Sequence, residues 1–137
     1  MIGIDTNVLV RYLTRDDPLQ AEMAREFLLN ACTPEEPGVI DRVVLCELVW
    51  VLERSYGYSR SQITQTLEKL FRTRQLVIEN PGAAMSALRL YRQGRTDYAD
   101  ALIGVGNRLT GCENTVTFDR KAAKLDEFRL LDSRSIP

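Results

Sequence analysis

Short apolar runs set apart by helix-length stretches constrain this chain more than any other feature it carries. Ile2–Asp5, Val39–Ile40, Leu76–Glu79 and Thr115–Phe118 each read as a brief buried strand, and Phe128–Leu131 adds a fifth at an edge. Strands joined by tight turns pair antiparallel, whereas strands separated by helices pair in parallel and are covered on both faces. The alternation therefore predicts an α/β fold with a central parallel sheet of four to five strands flanked by helices.

The helix boundaries are written in capping chemistry. Asp17 followed by Pro18 is an N-cap and first helical residue, opening a helix to about Ala31. Pro34 to Gly38 then reads as a loop. Arg42 to about Ser55 has the length and apolar content of a buried helix. Ser59 with Gln62 three residues on forms a capping box for a helix to about Arg72. Asn80-Pro81 opens another helix that Gly94 closes, and Asp97 caps one running to Thr110, with Gly111 just past its end. At 137 residues, with no repeat or low-complexity stretch, the expectation is one domain over 1–137.

What the sequence lacks removes whole classes of function. There is no His, so Ser-His-Asp and Cys-His nucleophiles, paired-His RNA cleavage and His-ligated zinc all fall away. Any hydrolysis must run on carboxylates, hydroxyls and water. No segment approaches the roughly eighteen apolar residues of a membrane span, so no membrane partner is expected. The N-terminal Met1-Ile2-Gly3-Ile4-Asp5 has no leader character. Cys32, Cys46 and Cys112 lack CxxC spacing and read as reduced core or near-core thiols, which points to the cytoplasm. Net charge is −1, so charge alone does not suggest nucleic acid. Of the 18 basic residues only Lys69, Lys121 and Lys124 are Lys; the Arg excess suits phosphate contacts, and equally a genome rich in Arg codons.

The carboxylates carry the remaining chemistry. Val43 to Leu52 is an apolar run with one charge, Glu47, whose helical neighbours are Val43, Val44, Trp50 and Val51. A helix apolar all round is buried, so Glu47 is expected to be partly desolvated and to need a cation or an Arg partner. Asp5 ends the first strand, where open parallel sheets bind ligands, and Asp119 holds the matching place after the fourth. Each would serve equally as an ordinary strand-ending Asp, or, for Asp5, in an Asx turn with Asn7. On the late helix, positions 97, 100, 104 and 107 form a small polar stripe with room for a ligand, while 98, 101, 102, 105 and 109 form a core face. Asp97 reads mainly as a cap and Asp100 as a functional acid favoured by the helix dipole.

Four motifs in order, Ile4-Asp5-Thr6-Asn7-Val8-Leu9, Glu47 in its apolar helix, Asp97-Tyr98-Ala99-Asp100-Ala101-Leu102-Ile103 and Val116-Thr117-Phe118-Asp119-Arg120, resemble the PIN-domain family. The resemblance spans essentially the whole chain and is especially similar to the VapC-type toxins of prokaryotic toxin–antitoxin pairs. It implies a metal-dependent ribonuclease with Asp5, Glu47 and Asp100 as the best-defined metal-binding and catalytic acids and Asp119 as a more variable fourth. Thr6 and Thr117 match hydroxyl positions beside the acids, with Asn7 and Asp97 as further auxiliary residues. Hard oxygen ligands suit Mg²⁺, with Mn²⁺ as an alternative. A cation so held activates water for in-line attack on phosphorus, leaving 5′-phosphate and 3′-hydroxyl ends. Four carboxylates repel one another without a cation, so the metal-free cluster is expected to retain a proton. The resemblance also implies a homodimer and a small cognate antitoxin that covers the acids. Two rivals compete. An aspartate-nucleophile phosphatase wants an Asp where Asn7 stands, and a non-catalytic PIN-like binding module would lack an acid that is present here.

Overall fold

The computed structural model describes residues 1–135 and contains six α-helices and five parallel strands, the α/β pattern expected. The strands hydrogen-bond in two sheets, one of three strands and one of two. The chain divides into two compact units, Met1–Pro81 and the residues from Gly82 onward.

In the first unit β1 (Ile2–Gly3), β2 (Gly38–Ile40) and β3 (Leu76–Ile78) lie side by side in that order, all parallel. Ile2 pairs with Gly38, and Gly38 with Leu76. Gly38 is required there by close approach. A Cβ on it would fall on the Cδ1 of Ile4 and within 3.2 Å of the Cys32 thiol.

The crossovers are helical because the local chemistry starts and stops helices at the right places. Helix α1 (Thr6–Thr14) begins at Asp5, whose carboxylate accepts the Thr6 N–H at 2.8 Å. Helix α2 (Pro18–Glu26) is capped by Asp17 with Pro at its first position, and a single π-helical turn, Phe27–Ala31, carries it to the expected end. Helix α3 (Arg42–Tyr56) is capped by Asp41 and stopped by Gly57 at φ 66°. Helix α4 (Arg60–Phe71) has the full capping box, with Ser59 and Gln62 each accepting the other's backbone N–H. Leu45, Leu48 and Leu52 on α3 and Ile63 and Leu67 on α4 are wholly buried, a spacing of three or four that aims one stripe of each helix inward.

In the second unit α5 (Pro81–Arg92) is followed by Gly94 at φ 78°, and α6 (Tyr98–Leu109) by Gly111 at φ 103°. The rings of Tyr91 and Tyr98, both buried, meet edge to face at 6.2 Å, and the Tyr98 hydroxyl donates to the Ala84 carbonyl. Strand β4 (Thr115–Thr117) pairs in parallel with β5 (Phe128–Leu130), and the crossover between them holds only a 3₁₀ turn, Ala122–Lys124. Ala122, Leu125 and Phe128 form the small core beneath that turn. Of the cysteines, Cys32 is buried and Cys46 half-buried, but Cys112 is exposed in the loop after Gly111, so the near-core reading fails for it.

Gly104 on α6 faces Phe128. A Cβ there would sit 2.5 Å from the Phe128 ring and 3.0 Å from the Glu127 Cβ. Gly104→Ala is therefore expected to lower stability by about 1–3 kcal/mol through overpacking, with part of the loss recovered when Phe128 is also shortened to Leu. Urea denaturation of the single and double variants checks this; an unchanged midpoint for Gly104→Ala would contradict the packing argument.

Candidate functional site

Each of the acids singled out by the sequence has a definite local setting. In the first unit Asp5 lies exposed, just past β1, and its carboxylate accepts the Thr6 N–H that starts α1. Thr6 itself is buried, and its hydroxyl donates to Glu47 Oε1 at 2.8 Å. The residue next to Asp5 thus holds the Glu47 carboxylate by a neutral donor, which orients the group without cancelling its charge. Asn7 is exposed beside Asp5, and both line an open groove of about 660 Å³ between α1 and α2. Val8, Ala24 and Phe27 supply its apolar side, Arg11 and Gln20 its polar one.

The desolvation expected for Glu47 is not found. Glu47 is exposed, and so are its helical neighbours Val43 and Trp50, at 63% and 57%. Helix α3 is apolar nearly all round, yet only the stripe of Val44, Leu45, Leu48, Val49 and Leu52 is buried. Glu47 belongs to the opposite stripe, so hydrophobicity alone could not place it in the core. Its candidacy stands on its tie to Thr6 and on the family motif.

In the second unit three acids come together. Asp97 caps α6, its carboxylate accepting the Asp100 N–H at 2.8 Å. Asp119 turns back on the chain after β4, accepting N–H bonds from Lys121 and Ala122, while its own N–H donates to the Thr117 hydroxyl at 3.0 Å. Asp100, half-buried, holds its proton more tightly than an ordinary aspartic acid. Burial is the main cause, and the neighbouring charges of Asp97 and Asp119 add to it. A hydrogen bond to Asp97 favours the protonated form further, and Lys121 partly offsets the rise. Asp97 is therefore both a cap and a member of the acid group, and Lys121 is a neighbour that the sequence did not single out.

The ligand stripe expected on α6 extends no further than its first turn. Gly104 is filled by Phe128, and Asn107 donates to the Thr115 hydroxyl at 2.9 Å. Leu109, placed on the core face by its spacing, is 59% exposed. Among the described residues no three Asp, Glu or Cys side chains form a ready-made cation cage. The donor chemistry nonetheless fits a hard divalent cation. All candidate ligands are carboxylates, and at Asp100 like charges accumulate that a cation would relieve.

Two strand-end acids escaped the sequence reading, and both are structurally committed. Asp41 caps α3 through the Val44 N–H. Glu79 accepts the Arg42 N–H and pairs with its guanidinium at 3.1 Å, which holds the Glu79 carboxyl below its usual range.

A carboxyl whose folded pKa exceeds its unfolded one favours folding while protonated, and that advantage disappears as pH climbs through the folded value. At neutral pH ionised Asp100 is therefore a cost to the metal-free protein. Asp100→Asn should raise the metal-free melting temperature at pH 7, and the gain should fade below about pH 4, where the wild-type carboxyl is protonated folded or unfolded. Asp97→Asn should keep the cap, whereas Asp97→Ala should lose about 0.5–2 kcal/mol. Thermal melts across pH test both; a pH-independent effect of Asp100→Asn would contradict the charge accumulation.

Residues 2–128 match the PIN domain family. The chain is also similar to the VapC ribonuclease of Aquifex aeolicus (strain VF5), with 25% identity over 122 residues that cover 89% of this chain and 90% of that protein.

Proposed function

Because this chain belongs to the PIN-domain family, we propose that it is a Mg²⁺- or Mn²⁺-dependent endoribonuclease, and the toxin of a type II toxin–antitoxin pair. The observation that carries the reading is the family match through nearly the whole chain. The similarity to a VapC ribonuclease supports the finer assignment. The match runs through both compact units, which supports treating 1–137 as one PIN domain.

In this reading Asp5, Glu47, Asp100 and Asp119 hold the cation and form the catalytic set, and Asp97, Thr6, Asn7 and Thr117 support them. The cation, when bound, supplies Lewis-acid activation of water and charge neutralisation at phosphorus. The chain's own residues prepare for that. The Thr6 hydroxyl fixes the rotamer of Glu47 while leaving its charge whole. Asp97 fixes the start of α6, and with it the position of Asp100. The Thr117 hydroxyl and the N–H groups of the following turn hold Asp119 in place. Burial and the like charges of Asp97 and Asp119 raise the affinity of Asp100 for its proton, and a cation held there would offset the like charge. The products would carry 5′-phosphate and 3′-hydroxyl ends, with no participation of the 2′-hydroxyl.

The partners that follow are an RNA substrate, a second copy of the chain and a small antitoxin. The groove beside Asp5, apolar on one side and polar on the other, suits an amphipathic segment of such a partner. No helix among the described residues is long and apolar enough to cross a membrane, and the reading places the protein in the cytoplasm.

Purified protein is expected to cleave single-stranded or looped RNA with Mg²⁺ or Mn²⁺ and to stop in EDTA. Asp5→Asn, Glu47→Gln and Asp100→Asn should each abolish nearly all activity while the far-ultraviolet circular dichroism spectrum stays native. Asp97→Asn should retain most of it. Thr6→Val, which removes only the hydroxyl that holds Glu47, should cost roughly 10–100-fold, the range for an outer partner of a metal ligand, and Thr6→Ser should recover it. Cleavage that persists in EDTA, or 2′,3′-cyclic phosphate ends, would sink the mechanism.

Expression of the chain alone in a bacterial host should halt growth, and co-expression of the adjacent small gene should restore it. Normal growth with soluble, RNA-cleaving protein would separate the toxin role from the nuclease activity and leave only the latter.

A further inference from the structure

Trp50 is the chain's sole tryptophan, and it is 57% exposed. The core face of α3 is complete without it, since Leu45, Leu48 and Leu52 are wholly buried. The ring instead carries the guanidinium of Arg54, whose Cζ lies 5.4 Å from the ring centroid. Arg54 is itself exposed, and no ion pair among the described residues engages it. Val43, Glu47, Trp50 and Arg54 follow one another at helical spacings of four, three and four, so they form one stripe. An open aromatic ring thus lies one turn from a candidate metal-binding acid, with an uncommitted cation beyond it.

A π-face paired with a fork of N–H donors matches the alternating base and phosphate of a single strand. Glu47 lies between Val43 and Trp50 on this stripe, so a strand stacked on Trp50 would run alongside the acid read as a cation ligand. We propose that Trp50 stacks an unpaired RNA base while Arg54 holds a neighbouring phosphate, and that this pair positions the strand at Glu47. The proposal rests on the ribonuclease reading above. It adds a substrate-positioning residue outside the acid set.

The single tryptophan makes the test direct. Wild-type protein is mixed with a single-stranded RNA oligonucleotide in Mg²⁺ by stopped flow, so that Trp50 fluorescence is read before products accumulate. Anisotropy of a labelled oligonucleotide reports binding independently, and an abasic oligonucleotide of equal length provides phosphate without bases. The expected result is quenching by the RNA and none by the abasic strand. Trp50→Leu should weaken RNA binding by roughly 5- to 100-fold, and Trp50→Phe should recover most of the loss. Leu keeps apolar bulk but has no π-face, so a protein-docking surface would tolerate it. RNA that binds and is cleaved while Trp50 stays unquenched would overturn the proposal, as would wild-type affinity in Trp50→Leu. A fluorescence change on raising protein concentration alone would also overturn it, by assigning the face to a second copy. Wild-type protein that neither binds nor cleaves RNA would sink the ribonuclease reading itself, and this proposal with it.

Discussion

Parallel pairing of very short strands is the constraint from which the first unit follows. Parallel strands cannot be joined by a tight turn, and in this unit the connections from β1 to β2 and from β2 to β3 are helical. All three then end at one edge of the sheet, and the next residues have to start a helix. That requirement selects acids with or without catalysis. Asp5 caps α1, Asp41 caps α3, and Glu79 accepts the first N–H of α3. An acid at a strand end is therefore weak evidence for a site. What separates Asp5 from the other two is what else holds it. Glu79 is tied down by the Arg42 guanidinium and Asp41 sits at the start of a helix whose motif acid is Glu47, whereas Asp5 is exposed beside a groove.

The same distinction runs through the molecule. Several acids outside the candidate site are matched with positive charge: Asp16 with Arg11, Glu79 with Arg42, Glu127 with Arg108, and Glu36 with the N-terminal ammonium, while the caps Asp17 and Asp41 accept backbone N–H groups. The candidate site acids are matched with neutral donors. Glu47 receives a hydroxyl, and Asp5 and Asp119 receive backbone N–H groups. Asp100 lies among other acids, with only Lys121 to offset them. A neutral donor fixes a carboxylate's direction at little cost to its charge, whereas a guanidinium fixes direction by consuming it. Carboxylates that are held and still fully charged are what a divalent cation needs.

The sequence revealed what is decided locally. Asp17-Pro18, the Ser59–Gln62 box, the Asp97 cap and the left-handed Gly111 all act within a few residues, and the helices begin and end where those signals lie. It was mute where the outcome depends on distant residues. The space at Gly104 looked open on the helix and is occupied by Phe128, twenty-four positions along. The run from Val43 to Leu52 looked buried because nearly all of it is apolar, but composition does not say which side meets the core. The π-helical turn at Phe27–Ala31 had no signal in the residues considered. The four motif acids were legible because a family pattern encodes their order. Their physical settings were not, and the Thr6–Glu47 bond spans forty-one positions.

The arginine excess takes a different meaning once those settings are known. Arg11, Arg25, Arg42 and Arg108 are bound to carboxylates of the same chain, so part of the excess serves internal pairing and says nothing about phosphate. With a net charge of −1 the chain has little long-range attraction for a polyanion. Counterion release by many basic contacts, the usual source of nucleic-acid affinity, is accordingly a small contribution. For an RNA substrate, affinity must then come from short-range terms: a cation shared with the acids, stacking on an exposed ring, and the few guanidinium groups left uncommitted. Such terms depend on an unpaired and accessible strand, because a base inside a duplex offers no free face and its phosphates alone find too little positive charge. If RNA is the substrate, selectivity for looped or single strands would follow from low net charge as much as from any pocket.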